Sequence, residues 1–304
     1  MIKRLLALCT LAFLSMAFQQ QQPQRTPLET TKSRIEAITR SINAKWGIYA
    51  KSIETGEEIS INADEQMDTM SVIKIPLMVE AYRQDAEGTF KLSQTHTLKE
   101  SEKQPGTGIL RRWAEGTVMT YKDIIDLMII VSDNTATDLI YQKVGGPPAV
   151  NKLMDSYGFD QIRATGLAAD WFKALRATDA ATFHREGKHP FGLSTPRQMG
   201  LLLEKIEKGE AVNKDASQQM LNHLRGQLYA TRIPRYLSYT NFGRAPHKTG
   251  DFLPYIGNDV GVLEAGNKRV VVSIFTANHF GMGTVLEDAI GRITEQIAAY
   301  FGNR

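Results

Sequence analysis

The chain has 304 residues, of which 42% are hydrophobic and 23% charged, with 36 basic and 33 acidic side chains and a formal charge of +3. These are ordinary globular values, so a disordered chain is excluded and nothing in the charge balance points to nucleic acid. The length suits one large domain or two small ones.

Lys3 and Arg4 precede Leu5 to Phe18, a run of apolar, Ser, Thr and Cys residues. This reads as a secretory signal peptide, with Ser15-Met16-Ala17 as a small-x-small cleavage site ending near Ala17. The run is short for a membrane span, and no other stretch is long and apolar enough for stable membrane insertion. Cys9 is the only cysteine and leaves with the leader, so no disulfide is expected. Leu8 before it is a poor match to a lipoprotein signal. Cleavage removes Lys3 and Arg4 and no acid, which lowers the charge from +3 to +1. The expected location is periplasmic or secreted. Residues 18–27 are glutamine-rich with prolines and read as a disordered leader.

From Glu29 to Asn43, Ile35, Ile38 and Ile42 recur at helical spacing. Trp46 to Ile53 and Ile59 to Ala63 read as strands joined by the turn Glu54-Thr55-Gly56-Glu57. Met70 to Val79 follows as a helix. Its Pro76 lies too far in for an ordinary first position, which predicts a tight or irregular start. The character is helical from about Lys91 to Gln227. Thr120 and Asp123 form a capping-box pattern before Ile124 to Val131. Ser132-Asp133-Asn134 interrupts that helix, which resumes over Thr135 to Lys143. Gly145-Gly146-Pro147-Pro148 reads as a turn and Ala149 to Tyr157 as a helix. Thr165 to Leu193 has no convincing periodicity and reads as a long excursion of the kind that often carries function. Helices are expected from Thr195-Pro196 to Lys208 and from Ala216 to Leu228. Strands are expected over Ala245 to Thr249, Asp259 to Glu264 and Arg269 to Thr276, then an amphipathic helix over Val285 to Phe301. This order predicts an α+β fold: a sheet built from both termini, with a helical insertion between them.

Four polar features break the pattern. In Ser71-Val72-Ile73-Lys74 the serine and lysine share a helix face, and the surrounding residues are apolar, so the lysine is expected to be buried. Burial lowers a lysine's pKa and brings a neutral amine beside a hydroxyl within reach. Taken alone, the pattern also fits a chance serine with a lysine that snorkels to water. Ser132-Asp133-Asn134 alone fits a helix cap. Lys248-Thr249-Gly250 alone fits a solvated strand end, or a strand whose glycine lets a ligand approach the backbone. Asn258-Asp259 begins the next strand. No zinc-type spacing links the six histidines.

Ser-x-x-Lys, Ser-Asp-Asn and Lys-Thr-Gly occur once each, in that order, around a helical insertion. With this trio the chain resembles the class A β-lactamases and penicillin-binding-protein-like serine hydrolases. The resemblance extends to the hairpin Trp46 to Ile61, the Gly145-Gly146-Pro147 turn, the Asn258-Asp259 strand and the closing helix. It implies a β-lactamase/transpeptidase-like fold, an antiparallel sheet flanked by N- and C-terminal helices with an inserted all-helical subdomain. The expected α/β part is 28–67 and 231–304, and the helical part 68–230. The resemblance implies Ser71 as nucleophile, Lys74 as proton acceptor and Ser132 as proton relay to the leaving nitrogen. The backbone N–H groups of Ser71 and Asp251 would form an oxyanion hole. Asn134, Lys248, Thr249 and Gly250 would bind substrate, and Arg232 would add a carboxylate contact or stand as a solvated arginine. It implies no cofactor or metal, a monomer, and a β-lactam or D-Ala-D-Ala-like small molecule as partner.

The chain departs from class A in one respect. Those enzymes carry Glu-x-x-Leu-Asn before the Thr-Pro helix, and the motif is absent between Gly158 and Pro196. Asp170 lies nearest the expected position, as a deacylation base or as a loop cap. Three readings follow: a β-lactamase, a D-alanyl-D-alanine peptidase or esterase on the same scaffold, and a penicillin-binding sensor that acylates once.

Overall fold

The structure, a computed structural model, describes residues 26–188, 190–237 and 245–302. The signal peptide and nearly all of the expected leader lie outside the described residues. The leader's last two residues are helical in role: Thr26 caps α1 (Pro27–Arg40) through a reciprocal pair with Glu29, and Pro27 is the first helical residue. Proline fits there because the first turn has no use for its missing N–H.

The main sheet has five antiparallel strands in the order β2-β1-β10-β9-β8. These are β1 (Lys45–Ser52), β2 (Glu58–Ile61), β8 (His247–Phe252), β9 (Ile256–Ala265) and β10 (Lys268–Ala277). The two halves of the chain meet where β1 pairs with β10, Ile48 opposite Ile274 and Ala50 opposite Val272. Alternate side chains leave opposite faces. Ile48, Ala50, Val272 and Ile274 pack with Ile35 of α1 and with Ile290, Ile293 and Ile297 of α10 (Gly283–Gly302). Tyr49, Val271 and Phe275 join a second core under the inserted helices.

That insertion holds α2 (Lys74–Glu87), α3 (Tyr121–Ile130), α4 (Asn134–Val144), α5 (Gly146–Ser156), α8 (Pro196–Glu207) and α9 (Lys214–Arg225). The expected turn before α5 is shorter than the sequence suggests. Gly145, with φ of +99°, ends α4 and also precedes the first residue of α5. The insertion is also not purely helical. It carries β3 (Met67–Asp68) paired with β7 (Gly192–Ser194), β7 with β6 (Arg163–Ala164), and β4 (Thr95–Thr97) with β5 (Val118–Thr120). These pairs have only two or three residues each, too short to carry a period-2 pattern. The excursion after Thr165 folds into two short helices, α6 (Ala168–Leu175) and α7 (Ala180–Glu186). Among the described residues no helix is long and apolar enough to cross a membrane.

Candidate active site

Met70–Ile73 forms a single 3-10 turn, and the α-helical hydrogen bonding of α2 begins at Lys74. Pro76 accounts for the join, since its ring clashes with the carbonyl four residues back and forbids an α-helix running unbroken from Thr69. Met70 has φ of +46°, uncommon for a residue with a side chain. Asp68 Oδ1 accepts its N–H at 2.8 Å and holds it there. Ser71 follows directly, half-buried, at the amino end of the turn.

Lys74 is buried, as the apolar run predicts. Its Nζ donates to Ser132 O at 2.7 Å, Ser132 Oγ at 3.1 Å and Asn134 Oδ1 at 3.0 Å. Burial depresses its pKa well below the ordinary lysine value, and the charge of Lys248 adds to this against the pull of Asp133, Asp138 and Asp251. Ser132 has φ of +56° and sits in the break between α3 and α4. That left-handed conformation interrupts the helix, and the freed Ser132 carbonyl accepts from both Lys74 and Thr107 Oγ1, the latter at 2.7 Å. Asp133 is the helix cap that the sequence suggested: Oδ1 accepts from Ala136 N at 3.0 Å. Its other oxygen takes Ile109 N and Leu110 N at 2.6 and 2.8 Å, which pins the 105–112 loop to the site. Asn134 Nδ2 donates to Pro105 O in the same loop at 3.1 Å.

Lys248 approaches from β8. Its Nζ donates to Ser132 Oγ at 3.1 Å and to Thr249 O at 2.9 Å. It is buried rather than solvated, and burial lowers its pKa to about 7 against the pull of Asp251 and Asp259. Ser132 Oγ therefore stands between two buried lysines whose pKa values burial lowers. Thr249 Oγ1 is buried without a hydrogen-bond partner among the described residues, an orphan acceptor and donor beside the ammonium. The structure gives a further reason for a glycine at 250: the backbone of the turn carrying Ser71 packs flush against it. A Cβ at residue 250 would lie 2.3 Å from Thr69 O and 3.1 Å from Val72 N. Gly250→Ala should push β8 off the turn and destabilise the protein by about 1–3 kcal/mol. Urea unfolding measures the loss, and unchanged stability would show that the contact is dispensable.

Arg232 is not a solvated arginine. It is buried, with Nη1 donating to Asn258 O at 2.8 Å and Nη2 bonded to Asp251 and, at 3.3 Å, to Glu287. It thus fixes the Asp251 side chain at the residue whose backbone N–H is the expected oxyanion donor. Behind β8, His247 Nδ1 meets the Asp259 carboxylate at 3.0 Å, and Asp259 Oδ2 also accepts Ile233 N at 3.0 Å.

Asp170 lies in the first turn of α6, exposed, on a small cavity it shares with Lys188 and Phe191. Phe172, two residues on, reaches the site instead. A Cβ on Gly106 would lie 2.4 Å from Phe172 Cζ and 2.7 Å from Asn134 Nδ2, so ring and amide flank the same glycine. Phe191 brings its ring centre within 6.0 Å of Lys74 Nζ. Asp138 belongs to none of the sequence motifs. It is buried on α4 and accepts Ala168 N at 2.7 Å and Ala169 N at 3.0 Å, capping α6 from the catalytic side. Burial raises its pKa to about 6 despite those bonds.

A model described as the β-lactamase enzyme family matches residues 30–301. β-Lactamase L2 of Stenotrophomonas maltophilia is 25% identical over 88% of this chain and 86% of its own length. β-Lactamase VEB-1 of Pseudomonas aeruginosa is 22% identical over all of this chain and 99% of its own. Among solved structures, a β-lactamase from Sphaerobacter thermophilus is 26% identical with a TM-score of 0.77, covering 90% of this chain and 97% of that one. A point mutant of PBP-A, solved as an acyl-enzyme complex with penicillin G, shares the fold at a TM-score of 0.79 and 21% identity over 93% of this chain and all of that one. With Ser-x-x-Lys, Ser-Asp-Asn and Lys-Thr-Gly converging on one hydroxyl and the match running nearly end to end, the chain belongs to the β-lactamase enzyme family, the class A and penicillin-binding-protein-like serine hydrolases.

Proposed function

We propose that the protein opens β-lactam rings through an acyl-Ser71 intermediate, acting as a periplasmic or secreted monomer once residues 1–17 are removed. The observation that carries this reading is the position of Ser132 Oγ, 3.1 Å from both Lys74 Nζ and Lys248 Nζ. Neutral Lys74 takes the proton of Ser71 Oγ, directly or through water, as the oxygen attacks the lactam carbonyl. Negative charge builds on the carbonyl oxygen between the N–H groups of Ser71 and Asp251. The C–N bond breaks, and the proton passes from Lys74 through Ser132 Oγ to the leaving nitrogen. Lys248 and the unpartnered Thr249 hydroxyl hold the substrate carboxylate, and the Asn134 amide holds its acyl side chain. Water then cleaves the ester.

A specific observation favours a second reading for the last step. The loop that would supply a water-holding carboxylate turns Phe172 and Phe191 towards the site, while Asp170 is exposed. A long-lived penicilloyl ester, as in a D-alanyl-D-alanine peptidase, follows if Asp170 does not act as the base. Intact mass after mixing with penicillin separates these outcomes. Rapid recovery of free protein supports the β-lactamase, a persistent adduct supports the peptidase, and no adduct rejects both.

The two lysines set the pH dependence. Lys74 accepts a proton only when neutral, so acylation rises with pH on the acid side. Lys248 binds a carboxylate only when charged, so carboxylate substrates lose kcat/KM as pH rises through about 7. An ester without a carboxylate should keep the acid limb and lose the basic one. A basic limb that persists with that ester would assign it to another group.

A further inference from the structure

One side chain at the carboxylate end of the site has no part in the proposed chemistry. Asp251 follows Lys248-Thr249-Gly250 on β8, and only its backbone N–H is used above. By the two-residue period of a strand, its side chain leaves the same face as that of Thr249, about 7 Å further along. The carboxylate is bonded to Arg232 but is not sealed in: its side chain is 32% exposed, against 2% for the arginine. Its charge reaches both site lysines, where it opposes the burial that lowers their pKa values.

Arg232, the guanidinium that a substrate carboxylate would seek, is closed off. Nη1 is spent on Asn258 O at 2.8 Å, and Nη2 on Asp251 and Glu287. Burial disfavours the arginine's charge, and Asp251, Asp259 and Glu287 more than offset this. Three carboxylates thus act on one guanidinium, which leaves Lys248 as the cation placed to attract an anion. A substrate carboxylate held by Lys248 and Thr249 would stand beside the carboxylate of Asp251. Like charges at that spacing in a half-buried cleft repel one another. We propose that Asp251 is a specificity-determining residue: it weakens the site's selection for a carboxylate on the leaving half of the acyl donor, so that uncharged esters and lactams are accepted nearly as well as anionic β-lactams. This rests on the acyl-Ser71 reading and adds the charge of the substrate to it.

Benzylpenicillin and its methyl ester test the proposal, since they differ by one methyl group and one charge. Stopped-flow acylation is measured with both at pH 6.5, where Lys248 is mostly charged. The native protein should favour the acid by no more than about tenfold. Asp251→Asn keeps an oxygen for Arg232 and removes the charge. It should raise the rate with benzylpenicillin about tenfold and leave the ester's rate within about twofold. A merely structural role would slow both compounds alike, because the N–H of residue 251 is the expected oxyanion donor, and the ratio would not move. Asp251→Ser makes the same comparison if the asparagine variant does not fold. A ratio of acid to ester that stays at its native value, or that rises only because the ester slows, overturns the proposal. If neither compound acylates the native protein, the acyl-Ser71 reading fails separately. The comparison then passes to calorimetric Kd values for the same two compounds on the Ser71→Ala protein. There Asp251→Asn should tighten benzylpenicillin alone about tenfold, and an unchanged Kd overturns the proposal.

Discussion

Ser71→Ala should abolish the penicilloyl adduct and lower β-lactam turnover by about 10⁵- to 10⁶-fold, to the background of unassisted hydrolysis plus binding. The size of the effect follows from the site's construction. In the proposed mechanism Lys74, Ser132 and Lys248 move or balance one proton for one hydroxyl, and without that hydroxyl no other group in the site is placed to form the ester. The fold should survive, because Ser71 is half-buried and the turn around it is held by other atoms. Val72 N donates to Thr69 O at 3.1 Å, and Met70 N is held by Asp68. Penicillin binding should persist through Lys248, Thr249 and Asn134. Intact mass and a chromogenic cephalosporin assay read the loss, and thermal unfolding checks the fold. An adduct on the variant would place the nucleophile elsewhere.

Lys74→Met should slow acylation by about 10²- to 10⁴-fold, the usual worth of a positioned general base. Methionine fills the same buried channel without a charge. The change leaves Ser132 O with Thr107 Oγ1 as its remaining donor and takes one donor from Asn134 Oδ1 and Ser132 Oγ. Two opposed terms then decide stability. Each buried acceptor left short costs about 1–3 kcal/mol, and removing a buried ammonium returns a comparable desolvation term. The protein should therefore remain folded with stability changed by about 2 kcal/mol or less in either direction. The acid limb of the pH–rate profile should vanish along with most of the rate. A slow variant that keeps the acid limb would show that the limb belongs to another group, with Asp138 the nearest candidate because burial raises its pKa to about 6.

Much of the scaffold was legible because it obeys local rules. The capping box of Thr120 and Asp123, Thr195 capping α8 with Pro196 at its first position, and the strained start that Pro76 imposes on α2 are each decided within a few residues. The isoleucines of α1 and α10 announce their buried face by period alone. The excursion after Thr165 was not legible, because α6 and α7 are too short to show a period and are held by distant partners. Asp138 caps α6 from 30 residues away, and Phe252 of β8 packs against Trp171. Lysine burial was readable at residue 74, where apolar neighbours surround it in the chain. It was not readable at residue 248, where the burying atoms come from other elements.

By itself, the sequence singled out the candidate groups: a serine and lysine one turn apart, a second serine in a helix break, and a second lysine on a strand. Those identities rest on residue chemistry and near-neighbour spacing. The tertiary structure alone decided how they work together. Ser132 Oγ is shared by lysines 58 and 116 residues away, Arg232 is committed to Asp251 and Glu287, and the flush contact of Gly250 on Thr69 sets the nucleophile turn against β8. The physical reason is range. Helix periods and caps are settled over a few residues, whereas the desolvation that lowers the pKa of each lysine depends on atoms that only the folded core brings together.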